Sequence, residues 1–137
     1  MGVELMAESI VKQKSYDFAL QIIKLCGRLR NAKHFEISSQ LLRSGTSIGA
    51  NVEEALAGQS KKDFFAKMSI ASKEARETNY WLRLIKDAEI FDRQESKKLI
   101  EASEELVKIL TSIVKTGNDR QQDVPKKTKN SKLRTQN

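Results

Sequence analysis

Few side chains in this sequence could carry out chemistry, and they stand far apart. The one histidine, His34, has no plausible serine or cysteine nucleophile to activate, and a base without a nucleophile performs no covalent catalysis. A carboxylate-bridged metal site inside a helical bundle uses Glu-x-x-His pairs, yet the residue three before His34 is Asn31. Glu74 and Glu77 stand about one helical turn apart and could pair for acid–base work. Each has a nearby cation, so ion pairing accounts for both more simply. Cys26 is the single cysteine, which excludes an internal disulfide and suits a small core position. The sequence points to no enzyme, with no catalytic residue, no metal ligand and no cofactor.

A second stretch with chemical potential is LLRSGTSIGANVEEA, residues 41 to 55, where two glycines, three hydroxyl residues and an asparagine interrupt an apolar pattern. A phosphate loop of the Walker type needs Gly-x-x-x-x-Gly-Lys-Ser/Thr after a strand. Here Gly49 is followed by Ala50 and Asn51, and no strand precedes it. Glycine inside a helix costs about 1 kcal/mol relative to alanine, a cost offset when the missing side chain lets another helix approach. Gly45 and Gly49 therefore read as helix-packing positions.

These residues must be held by helices. Four segments, near 15 to 31, 36 to 57, 61 to 89 and 93 to 116, show helical periodicity, and none alternates convincingly like a strand. The first carries Phe18, Ile22, Cys26 or Leu25, and Leu29 along one side. The third is the clearest, with Phe64, Met68, Ala71, Ala75, Thr78, Leu82 and Ile85 at alternating steps of four and three, the spacing of a bundle seam. Leu99, Ser103, Leu106, Leu110 and Ile113 repeat it in the fourth. Gly58 is expected to end the second helix in a left-handed cap, Ser60 with Asp63 and Asp92 with Glu95 to start the next two, and Gly117 to mark the end of the last. Links this short favour antiparallel neighbours. The expected fold is all-α, an antiparallel up-down four-helix bundle over residues 15–117, after an N-terminal lead segment of residues 1–14.

An antiparallel pair turning near residue 59 matches positions whose numbers sum to about 118. This register brings Gly45 and Gly49 near Ala71 and Ala75, so missing side chains would meet small ones. It also sets Arg43 before Glu74 and Glu77, where a guanidinium between two carboxylates makes a charge-assisted structural network. The alternative for these polar groups is a ligand or nucleic-acid surface.

Composition places the chain among soluble helical domains, with 39% hydrophobic and 31% charged residues and a single proline in 137 residues. The start MGVELMAESIVK has no apolar run long enough for a signal peptide or membrane span. A cytoplasmic setting without membrane contact is expected. The formal charge of +7 is uneven, because residues 118–137 hold six Lys or Arg against two Asp. With only Val124 and Leu133 as aliphatics, that stretch reads as a disordered basic tail. Its Lys126, Lys127, Lys129, Lys132 and Arg134 could neutralise phosphates or serve solubility alone. A second basic cluster, Lys24, Arg28, Arg30 and Lys33, lies at the end of the first helix.

The segments QLLRSGTSIGANVEEA (40 to 55), KDFFAKMSIASKEARETNYWLRLIKDAE (62 to 89) and EELVKILTSIVKT (104 to 116), with KSYDFALQI (14 to 22), resemble the bacterial four-helix bundle proteins also called 23S rRNA-intervening-sequence proteins. The resemblance covers roughly residues 14 to 117. It implies a four-helix bundle that assembles into a ring-like homopentamer, with no established enzymatic activity. A related group, the accessory proteins of diversity-generating retroelements, forms similar basic barrels that engage nucleic acid and a reverse transcriptase. The favoured expectation is a non-enzymatic oligomer that binds RNA or DNA. The alternative is a homo-oligomeric scaffold or adaptor for a protein partner. No recognisable RNA-binding module or aromatic stacking platform stands out in the sequence.

Overall fold

The computed structural model describes residues 2–122, with side-chain surroundings over residues 5–119. Four α-helices follow one another, α1 (Gly2–Asn31), α2 (Phe35–Ala57), α3 (Lys61–Asp87) and α4 (Arg93–Gln122), and no strand occurs among the described residues. Each helix packs on its neighbour in chain order, and α1 also meets α4, contacts that fit a bundle. One apolar core runs through it, where Ile22, Leu41, Ile48, Met68, Leu82 and Leu110 are wholly enclosed. Burying each such side chain stabilises the fold by about 1.5–3 kcal/mol. The heptad-like spacing in α3 explains why Met68, Ala71, Ala75, Thr78, Leu82 and Ile85 all lie inside.

Local chemistry fixes the turns. The Ser60 hydroxyl accepts from the Asp63 amide at 3.1 Å, and the Asp92 carboxylate accepts from the Glu95 amide at 2.9 Å. Both satisfy amides that the first turn of a helix leaves without partners. The ends of α1 and α3 close with paired backbone bonds. His34 N–H donates to the Leu29 carbonyl at 2.8 Å and Lys33 N–H to Arg30 at 2.9 Å, while Ile90 N–H reaches Ile85 at 3.3 Å and Glu89 N–H reaches Lys86 at 3.1 Å. This is the Schellman pattern. Its left-handed residue is Lys33 (φ 69°) in one case and Glu89 (φ 56°) in the other.

Residues before 15 are not a separate lead segment, because α1 begins at Gly2 and buries Val11 and Ser15 in line with Phe18 and Ile22. Gly58 ends α2 in an extended conformation (φ −66°, ψ 152°) instead of a left-handed one. Gly117 does not end α4, which runs on to Gln122, so residues 118–122 belong to the helix and not to a tail. A side chain at Gly117 would overlap the Phe65 ring. That glycine lets α4 lie close to α3, which is why a helix tolerates it. Residues 123–137, the remainder of the expected basic tail, lie outside the described residues.

Gly45 and Gly49 also face a different neighbour from the one expected. A Cβ on Gly45 would stand 2.8 Å from Ile22 Cγ2, and one on Gly49 would stand 3.4 Å from the Ser15 carbonyl oxygen. Both glycines therefore lie against α1, while Ala71 and Ala75 are buried in the core from α3. In the buried seam between α2 and α3 stand Ser44 and Thr78, whose hydroxyls share a hydrogen bond of 2.9 Å. Register arithmetic gives height along a helix and says nothing of rotation about it. One residue turns the helix by about 100°, and that step separates Ser44 from Gly45.

Candidate nucleic-acid interface

The last turns of α1 line a basic cleft. Lys24 and Arg28 are four residues apart and so share a helix side. Opposite them, Glu95 and Lys98, three apart on α4, share another. Phe91, just before α4, completes a cleft of about 270 Å³ that these five residues line together with Gln21, Leu25 and Leu99. Arg28 Nη1 donates to Glu95 Oε2 at 2.8 Å, and its guanidinium carbon lies 5.5 Å from the centre of the Phe91 ring. A cation over an aromatic face is attracted by the ring quadrupole. Two residues further on, a rotation of about 200° points Arg30 toward the start of α2, where it sits 5.5 Å from the Phe35 ring centre. Phe35 is half exposed.

Of the four basic residues expected at this end, the structure brings Lys24 and Arg28 together. Arg30 lies on another side with Phe35, and Lys33 occupies the exposed turn between α1 and α2. The expected tail cations Lys126, Lys127, Lys129, Lys132 and Arg134 lie outside the described residues. Sequence reasoning missed Lys98, Phe91 and Phe35. Each phenylalanine sits at the mouth of a helix, where an aromatic reads as core packing. Only the fold shows that an arginine from α1 covers each.

The polar groups on α2 and α3 form a separate network. Arg43 donates to Glu74 at 3.2 Å and to Glu77, and the Trp81 indole N–H donates to the same Glu77 oxygen at 3.0 Å. Glu74 is mostly enclosed, with 19% of its side chain exposed. A carboxylate in that position needs a cation, and Arg43 supplies one. The arrangement orients Trp81 and ties two helices. Cys26 is buried, its thiol donating to the Ser38 carbonyl at 3.4 Å; burial pushes its pKa up, against smaller opposing effects of the Ser38 hydrogen bond and Arg30. Such a thiol is a poor nucleophile at neutral pH.

A larger cleft of about 460 Å³ opens where the α2–α3 turn meets α4, walled by Leu56, Phe64, Phe65 and Ile113, with Lys61 and Glu8 at its rim. Its one cation is matched by one carboxylate, whereas the α1–α4 cleft sets three cations against Glu95. Among the described residues no His, Cys, Asp and Glu side chains gather into a metal-holding group, and no helix is long and apolar enough to cross a membrane.

The sequence has informative relatives. The family model for the 23S rRNA-intervening sequence protein matches residues 7–112. A crystal structure from Bacteroides thetaiotaomicron VPI-5482, described as a protein with unknown function from the S23 ribosomal protein family, is 45% identical with a TM-score of 0.76, over 80% of this chain and 98% of that one. No curated protein matches the sequence. The family match spans three of the four helices entirely or nearly so, together with most of α4, and with it the α1–α4 cleft and the Arg43 network. This chain belongs to the 23S rRNA-intervening sequence protein family.

Proposed function

We propose that this protein is a non-enzymatic, oligomeric nucleic-acid-binding or accessory protein whose folded contact surface is the basic end of α1. The observation that carries this reading is the convergence of Lys24, Arg28 and Lys98 on one cleft against a single carboxylate, Glu95. Cations set in a groove attract phosphate and release its counterions, which drives nonspecific binding. The tail cations add an electrostatic arm, and a cytoplasmic setting belongs to the same reading. Titration of labelled RNA and DNA by fluorescence anisotropy across a salt series tests it. Affinity that falls steeply with salt is expected; no binding at micromolar protein defeats the reading.

The reading assumes an up-down antiparallel bundle. Supporting pairs are Cys26 with Ser38 and Lys12 with Glu53 across α1 and α2, and Ser44 with Thr78 and Glu54 with Lys67 across α2 and α3. In each case the number rises on one helix as it falls on the other. Self-association into a closed oligomer, with five subunits as the family resemblance implies, is favoured by the outer side of α1. Met6, Tyr16 and Leu20 are exposed there, on the face opposite Val11, Phe18 and Ile22 at about 100° per residue, with exposed Ile10 and Ile23 on its two flanks. Analytical ultracentrifugation should find a closed assembly, and a concentration-independent monomer rejects it. Repeated subunits would multiply a weak basic surface. Should nucleic acid fail to bind, that apolar face favours the protein-scaffold alternative.

A further inference from the structure

We propose that the α1–α4 cleft takes single-stranded nucleic acid, with a base taking the place of the Arg28 guanidinium over the Phe91 ring while a phosphate replaces the Glu95 carboxylate on Arg28. This rests on the nucleic-acid reading above and names the form of ligand and the groups that meet it. Arg28 holds two kinds of contact at once, an anion at 2.8 Å and an aromatic face at 5.5 Å. The planar guanidinium fork that fits a carboxylate also fits a phosphate. The resident pair is weakly held, since 62% of the Arg28 side chain and 48% of the Glu95 side chain face solvent. A phosphate can therefore displace Glu95 and leave Arg28 paired.

Lys24 and Lys98 approach the same cleft from two helices, and neither forms an ion pair among the described residues. They are free to meet neighbouring phosphates. Phe91 is half-buried and sits one residue after Ile90, whose amide closes the α3 turn onto Ile85, so the ring is fixed to a rigid corner. Aromatic faces beside cations bind unpaired bases with little regard to sequence. In a duplex the bases remain stacked on each other and offer the cleft only backbone, so Phe91 distinguishes the two forms.

Anisotropy titrations with a labelled single strand and its duplex, each prepared as RNA and as DNA, test the inference on the full chain. Phe91→Leu keeps the apolar bulk and removes the stacking face. It should weaken single-strand binding on the order of tenfold while leaving duplex binding unchanged. Glu95→Gln, at an exposed position, should tighten single-strand binding because it frees Arg28. Equal weakening for strand and duplex by Phe91→Leu, no weakening of either, or looser binding by Glu95→Gln overturns the inference. A changed sedimentation coefficient for Phe91→Leu also overturns it, since the cleft would then be a subunit contact. Wild-type protein that binds no oligonucleotide at all defeats the broader nucleic-acid reading, whereas wild-type binding with indifferent variants defeats this inference alone. The RNA and DNA arms show which sugar the cleft accepts.

Discussion

Gly45 and Gly49 look equivalent in sequence and differ in what stands before them. At Gly45 an added Cβ meets the enclosed Ile22 side chain at 2.8 Å, and overpacking of this kind costs about 1–3 kcal/mol. At Gly49 the nearest atom is the Ser15 carbonyl oxygen at 3.4 Å, the near limit of ordinary contact, so the gain of about 1 kcal/mol in helix propensity decides the sign. Thermal melts should show Gly45→Ala lowered and Gly49→Ala unchanged or raised; the reverse order would place the helices differently. Cys26 offers a test by pH. Burial raises its pKa above the ordinary 9.0, so the unfolded chain ionises first. The stability this thiol contributes is present below that value and is lost as pH rises through the raised one. Wild type should lose stability above about pH 9 faster than Cys26→Ala, measured by urea unfolding, and parallel curves would show the thiol exposed.

Among the elements, α1 was the least legible from sequence. It is apolar on two opposite sides, core residues such as Phe18 and Ile22 facing inward and Met6, Tyr16 and Leu20 outward. Periodicity arguments need one polar side, so the start of α1 read as a lead segment. The α3 seam had that contrast and was legible, as were the caps at Ser60 and Asp92. The chain's glycines misled in the other direction. Gly117 read as a stop because glycine commonly ends helices, whereas its role depends on Phe65 of another helix. Gly27 supplies a test of the outer α1 face, since nothing lies within 4 Å of its missing Cβ. On an open surface Gly27→Leu should raise the melting temperature through about 1 kcal/mol of helix propensity. On a face covered by a second copy it should dissociate the assembly with helicity retained. Proposed self-association through α1 predicts the second outcome in sedimentation and circular dichroism; a stabilised, unaltered oligomer contradicts it.

For the whole molecule, the excess of positive charge was plain in the sequence and its arrangement was not. Lys24 and Arg28 could be placed on one helix side by spacing alone. Their meeting with Lys98, Glu95 and Phe91 required α4 to lie beside the end of α1, a contact between segments about seventy residues apart along the chain. Nor does sequence alone divide the proposed affinity between the folded cleft and the cations beyond residue 122. The most direct test compares three proteins in salt-dependent anisotropy titrations of single-stranded RNA: the full chain, a chain ending at Gln122, and the full chain with Lys24→Glu and Arg28→Glu. Three cleft cations should contribute about −2 to the slope of log affinity against log salt. The shortened chain should keep that part of the slope and lose the rest, and the double variant should lose it while remaining folded and assembled. Binding by the double variant that matches the full chain in affinity and slope contradicts a nucleic-acid surface at the end of α1.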